Sequence, residues 1–198
     1  IEKKQIEITP FKKLIKANRM DQKYKSYQSF DDLLEYCDNS ANPVGRIFLA
    51  IFDYHDEKRK KISDKTCTGL QLTNFWQDVW RDFQKGRIYI PEEDMEEFNY
   101  SRERLAKRDY DSDFISLMKY EVARARKMLK KGLELVPLVD NRIKLDIELF
   151  NRGGLAILNK IEDIDYDVLH TRPTLSKLEK IKLFLQFSAK FVANKLSK

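Results

Sequence analysis

Thr66-Cys67-Thr68-Gly69-Leu70-Gln71-Leu72-Thr73-Asn74-Phe75-Trp76-Gln77 carries no charge, in a 198-residue chain of which 35% is Asp, Glu, Lys or Arg. A surface helix displays charge on its outward side. A stretch quiet on all sides is therefore buried or lines a pocket. Asn39 to Phe52 behaves similarly, with Arg46 its one charge. Two such segments can pack together around a mostly apolar cavity. Charge returns abruptly at Asp78 and Asp82. At about 100° per residue, Gln71, Asn74, Asp78 and Asp82 form one polar stripe on a helix. Leu72, Phe75, Trp76, Val79, Trp80 and Phe83 form the opposite arc.

Outward from that stretch the periodicity stays helical. Thr9-Pro10 supplies a capping hydroxyl followed by proline at the first helical position. Ser29 caps Phe30 to Cys37, with Asp31 and Asp32 in the first turn. Asn42-Pro43 predicts a kink or break, and the pattern resumes from Val44 to Phe52. Asp53 to Lys61 reads as a charged connector. One helix is expected from Ser63 to about Phe83, ended by Lys85-Gly86. Arg87 to Ile90 reads as extended before Pro91, which opens a short acidic helix over Glu92 to Phe98. Further helices are expected over Asp113–Leu135, Leu138–Ile161 and Thr174–Lys195. Asn99–Asp111 and Asp163–Pro173 read as loops. No repeat or internal boundary interrupts the chain, so one domain over 1–198 is expected.

Composition narrows the classes. Six glycines and five prolines speak against an all-β fold with many tight turns. No apolar run is long enough to span a membrane. Cys37 and Cys67 make neither a CxxC motif nor a disulfide framework. His55 and His170 cannot build a His-rich metal site, and neither has a plausible serine or cysteine partner for a hydrolase triad. The net charge of +6 permits an anionic partner without demanding one. The lysines are dispersed, which argues against a nucleic-acid partner. No glycine-rich phosphate loop is present, which argues against a nucleotide site.

The polar stripe offers oxygen donors without histidine or thiolate, a set suited to a hard cation. Magnesium takes one or two carboxylates, keeps several waters and is completed by phosphate oxygens. Aspartates four apart are equally common on solvated helices, so spacing alone leaves both readings open. Asp109 with Asp113, and Asp163 with Asp167, share that spacing in charged, loop-like sequence and read as solvated. Arg81, Lys85 and Arg87 follow the stripe, where they could contact a diphosphate or complement the helix dipole.

Gln71 to Asp82, followed by Gly86-Arg87-Ile88-Tyr89-Ile90-Pro91, resembles the second aspartate-rich motif of the squalene and phytoene synthases. Tyr36 to Arg46 resembles the preceding pocket helix of that family. The wording Ser40-Ala41-Asn42-Pro43-Val44-Gly45-Arg46 and Asn74-Phe75-Trp76-Gln77-Asp78 is similar to the bacterial hydroxysqualene synthase branch. Residues 11 to 94 carry the strong match; the remainder fits more loosely.

The resemblance implies an all-α isoprenoid synthase bundle around a central apolar cavity. It implies Mg2+ bridging a prenyl diphosphate to two facing aspartate motifs, and a carbocation shielded by the cavity. In the hydroxysqualene branch the substrate is presqualene diphosphate, water captures the cation, and the product feeds squalene and hopanoid synthesis. Presqualene diphosphate synthase, phytoene synthase and a non-catalytic assembly factor are the alternatives. By the same resemblance Asn74, Asp78 and Asp82 match metal ligands, and Asp78, Asp82 and Tyr36 match catalytic positions. Gln71, Gln77, Tyr36, Ala41, Gly45, Arg81, Arg87 and Arg172 match substrate-binding positions. Tyr36 as core and Gly45 as a close-packing glycine are the simpler readings.

Two departures stand out. Phytoene synthases usually carry Arg at the position of Gln77 and an acid at that of Arg81. The family's first aspartate-rich motif is expected before residue 1, so an N-terminally incomplete chain lacking its first helices, poorly soluble and inactive alone, is expected. A cytoplasmic location, contact with a membrane surface and association with other hopanoid-pathway enzymes complete the expectations.

Overall fold

The computed structural model describes residues 4–23 and 25–196, with side chains to residue 188. All its regular elements are helical. They are α1 (Thr9–Lys23), α2 (Phe30–Ser40), α3 (Asn42–Ile51), α4 (Glu57–Gln77), α5 (Val79–Gln84), α6 (Glu92–Glu97), α7 (Arg102–Lys107), α8 (Ser112–Gly132), a 3-10 segment (Leu133–Leu138), α9 (Lys144–Asp163) and α10 (Lys177–Leu196).

Local chemistry sets most boundaries. Ser29 Oγ accepts from the Asp32 amide, and Asp32 returns a bond to the Ser29 amide, closing a capping box on α2. Pro43 lies in the first turn of α3, so the expected break falls between Ser40 and Asn42. Asp56 and Asp111 cap α4 and α8 through their carboxylates. Gly86, at φ +74°, turns the chain after α5. Four expectations need correction. The helix expected to begin at Ser63 begins at Glu57, and it does not run to Phe83 but breaks at Asp78. A short helix occupies 102–107, and α9 starts at Lys144 rather than Leu138. None of these departures has a glycine or proline to announce it.

α4 is the axis of the assembly, and α2, α3, α8, α9 and the 3-10 segment all pack on it. Of the twelve uncharged residues only Asn74 is exposed. Leu72, Phe75 and Trp76 join Leu33, Tyr36, Phe114, Leu117, Met118, Val122 and Leu129 in the main core. A smaller cluster, centred on Leu49, Leu135, Val139, Ile143 and Ile147, closes the other end. Backbone bonds zip 88–93 onto the α1–α2 connection: the amides of Ile88, Glu92 and Glu93 donate to the carbonyls of Lys25, Tyr27 and Gln28. No helix among the described residues is long and apolar enough to cross a membrane.

Glycines let α4 and its partners approach closely. A Cβ on Gly132 would stand 2.3 Å from both Thr66 Oγ1 and Asn151 Oδ1, and 3.1 Å from the Thr66 Cα. Those neighbours are buried and belong to two other helices, so there is little room to relax. Gly132→Ala should therefore cost about 1–3 kcal/mol, despite alanine's better helix propensity. Urea unfolding should show this as a lower midpoint with an unchanged slope.

Candidate functional site

The break at Asp78 is the local event that builds the site. Asp78 adopts φ −110°, ψ 18°, ending α4 and starting α5. Its amide still donates to Asn74 O at 3.0 Å, and its carbonyl accepts from the Asp82 amide at 2.9 Å. The polar stripe therefore bends without parting. Gln71 is half-buried, Asn74 exposed and Asp78 buried.

Asp78 carries a bidentate ion pair from far away in sequence. Arg172 Nε and Nη2 donate to its two carboxylate oxygens at 2.6 and 2.8 Å. Arg81 Nη1 adds a weaker contact at 3.5 Å. Next to Arg172, the Pro173 carbonyl accepts from Gln77 Nε2 at 2.5 Å. The non-helical segment 165–173 is thus strapped across the end of α4. Beside it an open cleft is lined by Asn74, Gln77, Phe150, Ile157, Arg172 and Lys180, among others.

The two aspartates are pushed in opposite directions. The Arg172 guanidinium holds the Asp78 carboxyl below the usual carboxylate range, against a desolvation cost. Burial raises Asp82, and the charge of Asp78 adds to this; Lys85, at 3.2 Å, offsets only part. Asp82 lies in a narrow crevice with Phe75, Trp76, Tyr89 and Leu105.

An aromatic group adjoins the same crevice. Tyr89 stacks on Phe75 at 3.8 Å between centroids and tilts against Tyr36 at 6.0 Å. Tyr36 is buried, and its hydroxyl donates to Asp21 Oδ1 at 2.8 Å. Arg87 interacts with Tyr89 and with the Asp21 charge. The structure thus brings Asn74, Gln77, Asp78, Arg81, Asp82 and Arg172 to one place, with Tyr36 and Arg87 adjoining. Ala41 and Gly45 sit apart, at the α2–α3 junction. A Cβ on Gly45 would stand 2.5 Å from Cys67 Sγ and Ser63 Oγ, so its smallness serves the packing of α3 on α4. Cys67 lies about 16 Å before Asp78 along a helix axis.

Asp21 and Tyr89 are the site neighbours that the sequence reading passed over. Tyr89 lay inside the quoted motif. Asp21 sits in a charged stretch with no spacing to mark it. The other aspartate pairs stay outside: Asp109 and Asp113 share the Arg104 guanidinium, and Asp167 binds the His170 amide.

A family model for squalene/phytoene synthase matches residues 1–179. The chain belongs to the squalene/phytoene synthase family. It is 31% identical to a 15-cis-phytoene synthase of Synechocystis sp. over 188 residues, 87% of this chain and 56% of the relative. It is 29% identical to a phytoene synthase of Mycobacterium tuberculosis, over 90% of this chain and 60% of the relative. Among solved structures, squalene synthase HpnC of Alicyclobacillus acidocaldarius superposes with a TM-score of 0.82 at 38% identity, covering 84% of this chain and 63% of that one. A dehydrosqualene synthase bound to a ligand superposes with a TM-score of 0.85 at 23% identity, covering 95% of this chain and 66% of that one, and supports the fold alone. The squalene/phytoene synthase member described here therefore has the all-helical isoprenoid synthase fold, and spans about 56–61% of the length of the first curated relatives.

The opposite shifts carry opposite consequences for stability. Asp78 binds its proton more weakly when folded. It therefore adds stability above the unfolded carboxylate value, about 3.9, and that share is lost as pH falls through the folded value. Asp82 holds its proton more tightly when folded, so its ionisation subtracts stability once pH rises past about 3.9. At pH 7 Asp78→Asn should lower the melting midpoint, by a loss of about 1 kcal/mol, while Asp82→Asn should raise it. Both differences should fade in melts taken below pH 3.9.

Proposed function

We propose that this chain is the second-aspartate-motif portion of a hydroxysqualene synthase. The reaction is presqualene diphosphate plus water giving hydroxysqualene and diphosphate. The carbon–oxygen bond to diphosphate breaks, a water oxygen bonds to the rearranged carbon cation, and that water's proton leaves. The observation that carries this reading is the convergence of Asn74, Asp78 and Asp82 with Arg172 at the end of the uncharged half of α4.

The donor set fits magnesium. Two carboxylates and one amide match that ion's habit of taking few protein ligands and keeping sites for water and phosphate oxygens. Burial raises the half-buried Asp82 carboxyl despite its ion pair with Lys85, so a further cation beside it would be favourable. Among the described residues no cluster of three or more Asp, Glu, His or Cys offers a complete cage; water and substrate oxygens would complete the set. When bound, the ion would neutralise charge building on the departing diphosphate.

The chain's own residues do the rest. Asn74, Asp78 and Asp82 would hold the ion. Arg172, Arg81 and Arg87 would turn to the diphosphate, with Gln71 and Gln77 as amide contacts. Tyr36 would face the reacting prenyl group from the aromatic side of the stripe. Ala41 and Gly45 would line the path of the prenyl tail where α3 meets α4. The apolar and aromatic surroundings would keep stray water from the cation. Contact with a membrane surface and with neighbouring enzymes of the hopanoid pathway belongs to the same proposal.

A second reading has nearly equal support. The curated relatives cited above are phytoene synthases, which favours a prenyltransferase joining two prenyl diphosphates. Purified full-length protein should be incubated with presqualene diphosphate, and separately with linear prenyl diphosphates of several lengths, with products read by mass spectrometry. Hydroxysqualene from the first supports the leading reading. Coupled products from the second shift the assignment to a synthase. No product from either leaves a non-catalytic role. Asp78→Asn should abolish whichever turnover is found.

Arg172 gives a separate test of the metal. Its guanidinium occupies both Asp78 oxygens that a cation would use. Arg172→Gln should therefore bind Mg2+ or Mn2+ several-fold more tightly without substrate, by calorimetry, yet bind diphosphate more weakly. Unchanged metal affinity would show that Asp78 is not a ligand.

A further inference from the structure

We infer that Asp21 is a positioning residue that commits the Tyr36 hydroxyl proton, so that Tyr36 presents its oxygen lone pairs, not its proton, to whatever lies beside it. The inference rests on the proposed role of Tyr36 in prenyl diphosphate chemistry and deepens it.

The geometry comes from three segments. Asp21 lies in the last turn of α1 and Tyr36 on α2. The bond between them, Tyr36 Oη to Asp21 Oδ1 at 2.8 Å, spans the connection between the two helices. That connection is held to 88–93 by the backbone ladder described above, which also delivers Tyr89. Tyr27 and Tyr89 both pack on the Tyr36 ring, at 5.5 and 6.0 Å between centroids. The ring therefore has little freedom to swing. Tyr89, whose hydroxyl also meets the Tyr36 hydroxyl, feels the charges of Arg87, Asp21 and Asp82, so the network reaches from α1 to the aspartate motif.

A phenol has one proton to give. An ionised carboxylate only accepts, so it fixes the direction of that proton. The remaining face of the Tyr36 oxygen is then an acceptor with partial negative charge. That polarity suits a cation formed when diphosphate leaves, and it opposes hydrogen bonding to the diphosphate itself. Preset dipoles of this kind act on the transition state without reorganising. Burial and the carboxylate both hold the Tyr36 phenol well above the usual tyrosine range, so it stays neutral while it does this.

The test uses the full-length protein and four variants: Asp21→Asn, Asp21→Glu, Tyr36→Phe and the double variant Asp21→Asn/Tyr36→Phe. Asp21→Asn is expected to lower kcat about tenfold with KM within twofold. Asp21→Glu should recover part of that loss. The double variant should be no worse than Tyr36→Phe, because both changes remove one interaction. With a fluorinated tyrosine at position 36, whose phenol is more acidic, absorbance titration against the Tyr36→Phe blank should show position 36 ionising at lower pH once Asp21 is neutralised. Asp21→Asn with unchanged kcat and an unmoved Tyr36 titration would overturn the inference. So would additive losses in the double variant. If Tyr36→Phe itself turns over normally, the failure lies in the assignment of Tyr36 and not in the bond to Asp21.

Discussion

The uncharged half of α4 has almost no face to give to water. Twelve consecutive uncharged residues can be stable in a charged chain only if other helices cover them, because the hydrophobic term grows with the apolar area removed from solvent. α2 and α3 cover one flank, α8 another and α9 a third. The glycines follow from that crowding. Gly69 and Gly154 meet Leu129, Gly132 meets Thr66, and Gly45 meets Ser63 and Cys67, each at distances that leave no room for a Cβ. Burial pushes the thiol of partly buried Cys67 up to about 11, which makes it an inert packing group.

A helix covered on every side must still end, and the covering has to be given up there. α4 ends at Asp78, where carboxylates enter a partly dehydrated place. The chain contains a second pair of buried acids for comparison. Asp94 and Glu121 are both almost wholly enclosed, and Arg124 binds Asp94 through two nitrogens at 2.5 and 3.0 Å. Burial and the neighbouring Asp94 raise Glu121 well above its usual range, against the pull of Arg124. The Arg124 guanidinium is itself sandwiched against Phe30 and Tyr120. That pair is fixed on all sides and clamps α6 to α8. Asp78 and Asp82 have the same raw chemistry but an open flank, at Asn74 and the cleft beside Arg172.

The covered helix was legible in sequence because absence of charge is a local signal. The stripe of Gln71, Asn74, Asp78 and Asp82 was legible because helical geometry places residues four apart on one face. The break at Asp78 was not, since no glycine or proline marks it. Its counterpart is tertiary: a guanidinium 94 residues away in sequence, carried on a segment with no periodicity to align. Asp21 was hidden for a related reason. The lone carboxylate of a basic helix acquires meaning only when a tyrosine from the next helix arrives against it. The two readings of Gly45 differ in kind. Close packing is visible in the contacts with Ser63 and Cys67, whereas space for a prenyl chain depends on what else lines the cavity.

Arg172 shows how such a site can be stable and still ready to work. A bare Asp78 beside Asp82 would set two like charges together with little water between them, which is costly. A permanent clamp, like Arg124 on Asp94, would relieve that cost but close the site. Arg172 relieves it from a non-helical strap, held at Pro173 by a single side-chain bond from Gln77. Its side chain is 35% exposed, whereas the Asp78 side chain is 12% exposed. The counter-charge is thus the more exposed partner of the pair. It neutralises Asp78 with a weaker contribution from Arg81, and in the proposed function it turns outward when a metal cation and a diphosphate arrive. In the same proposal Asp82, whose burial outweighs its Lys85 ion pair, favours entry of that cation.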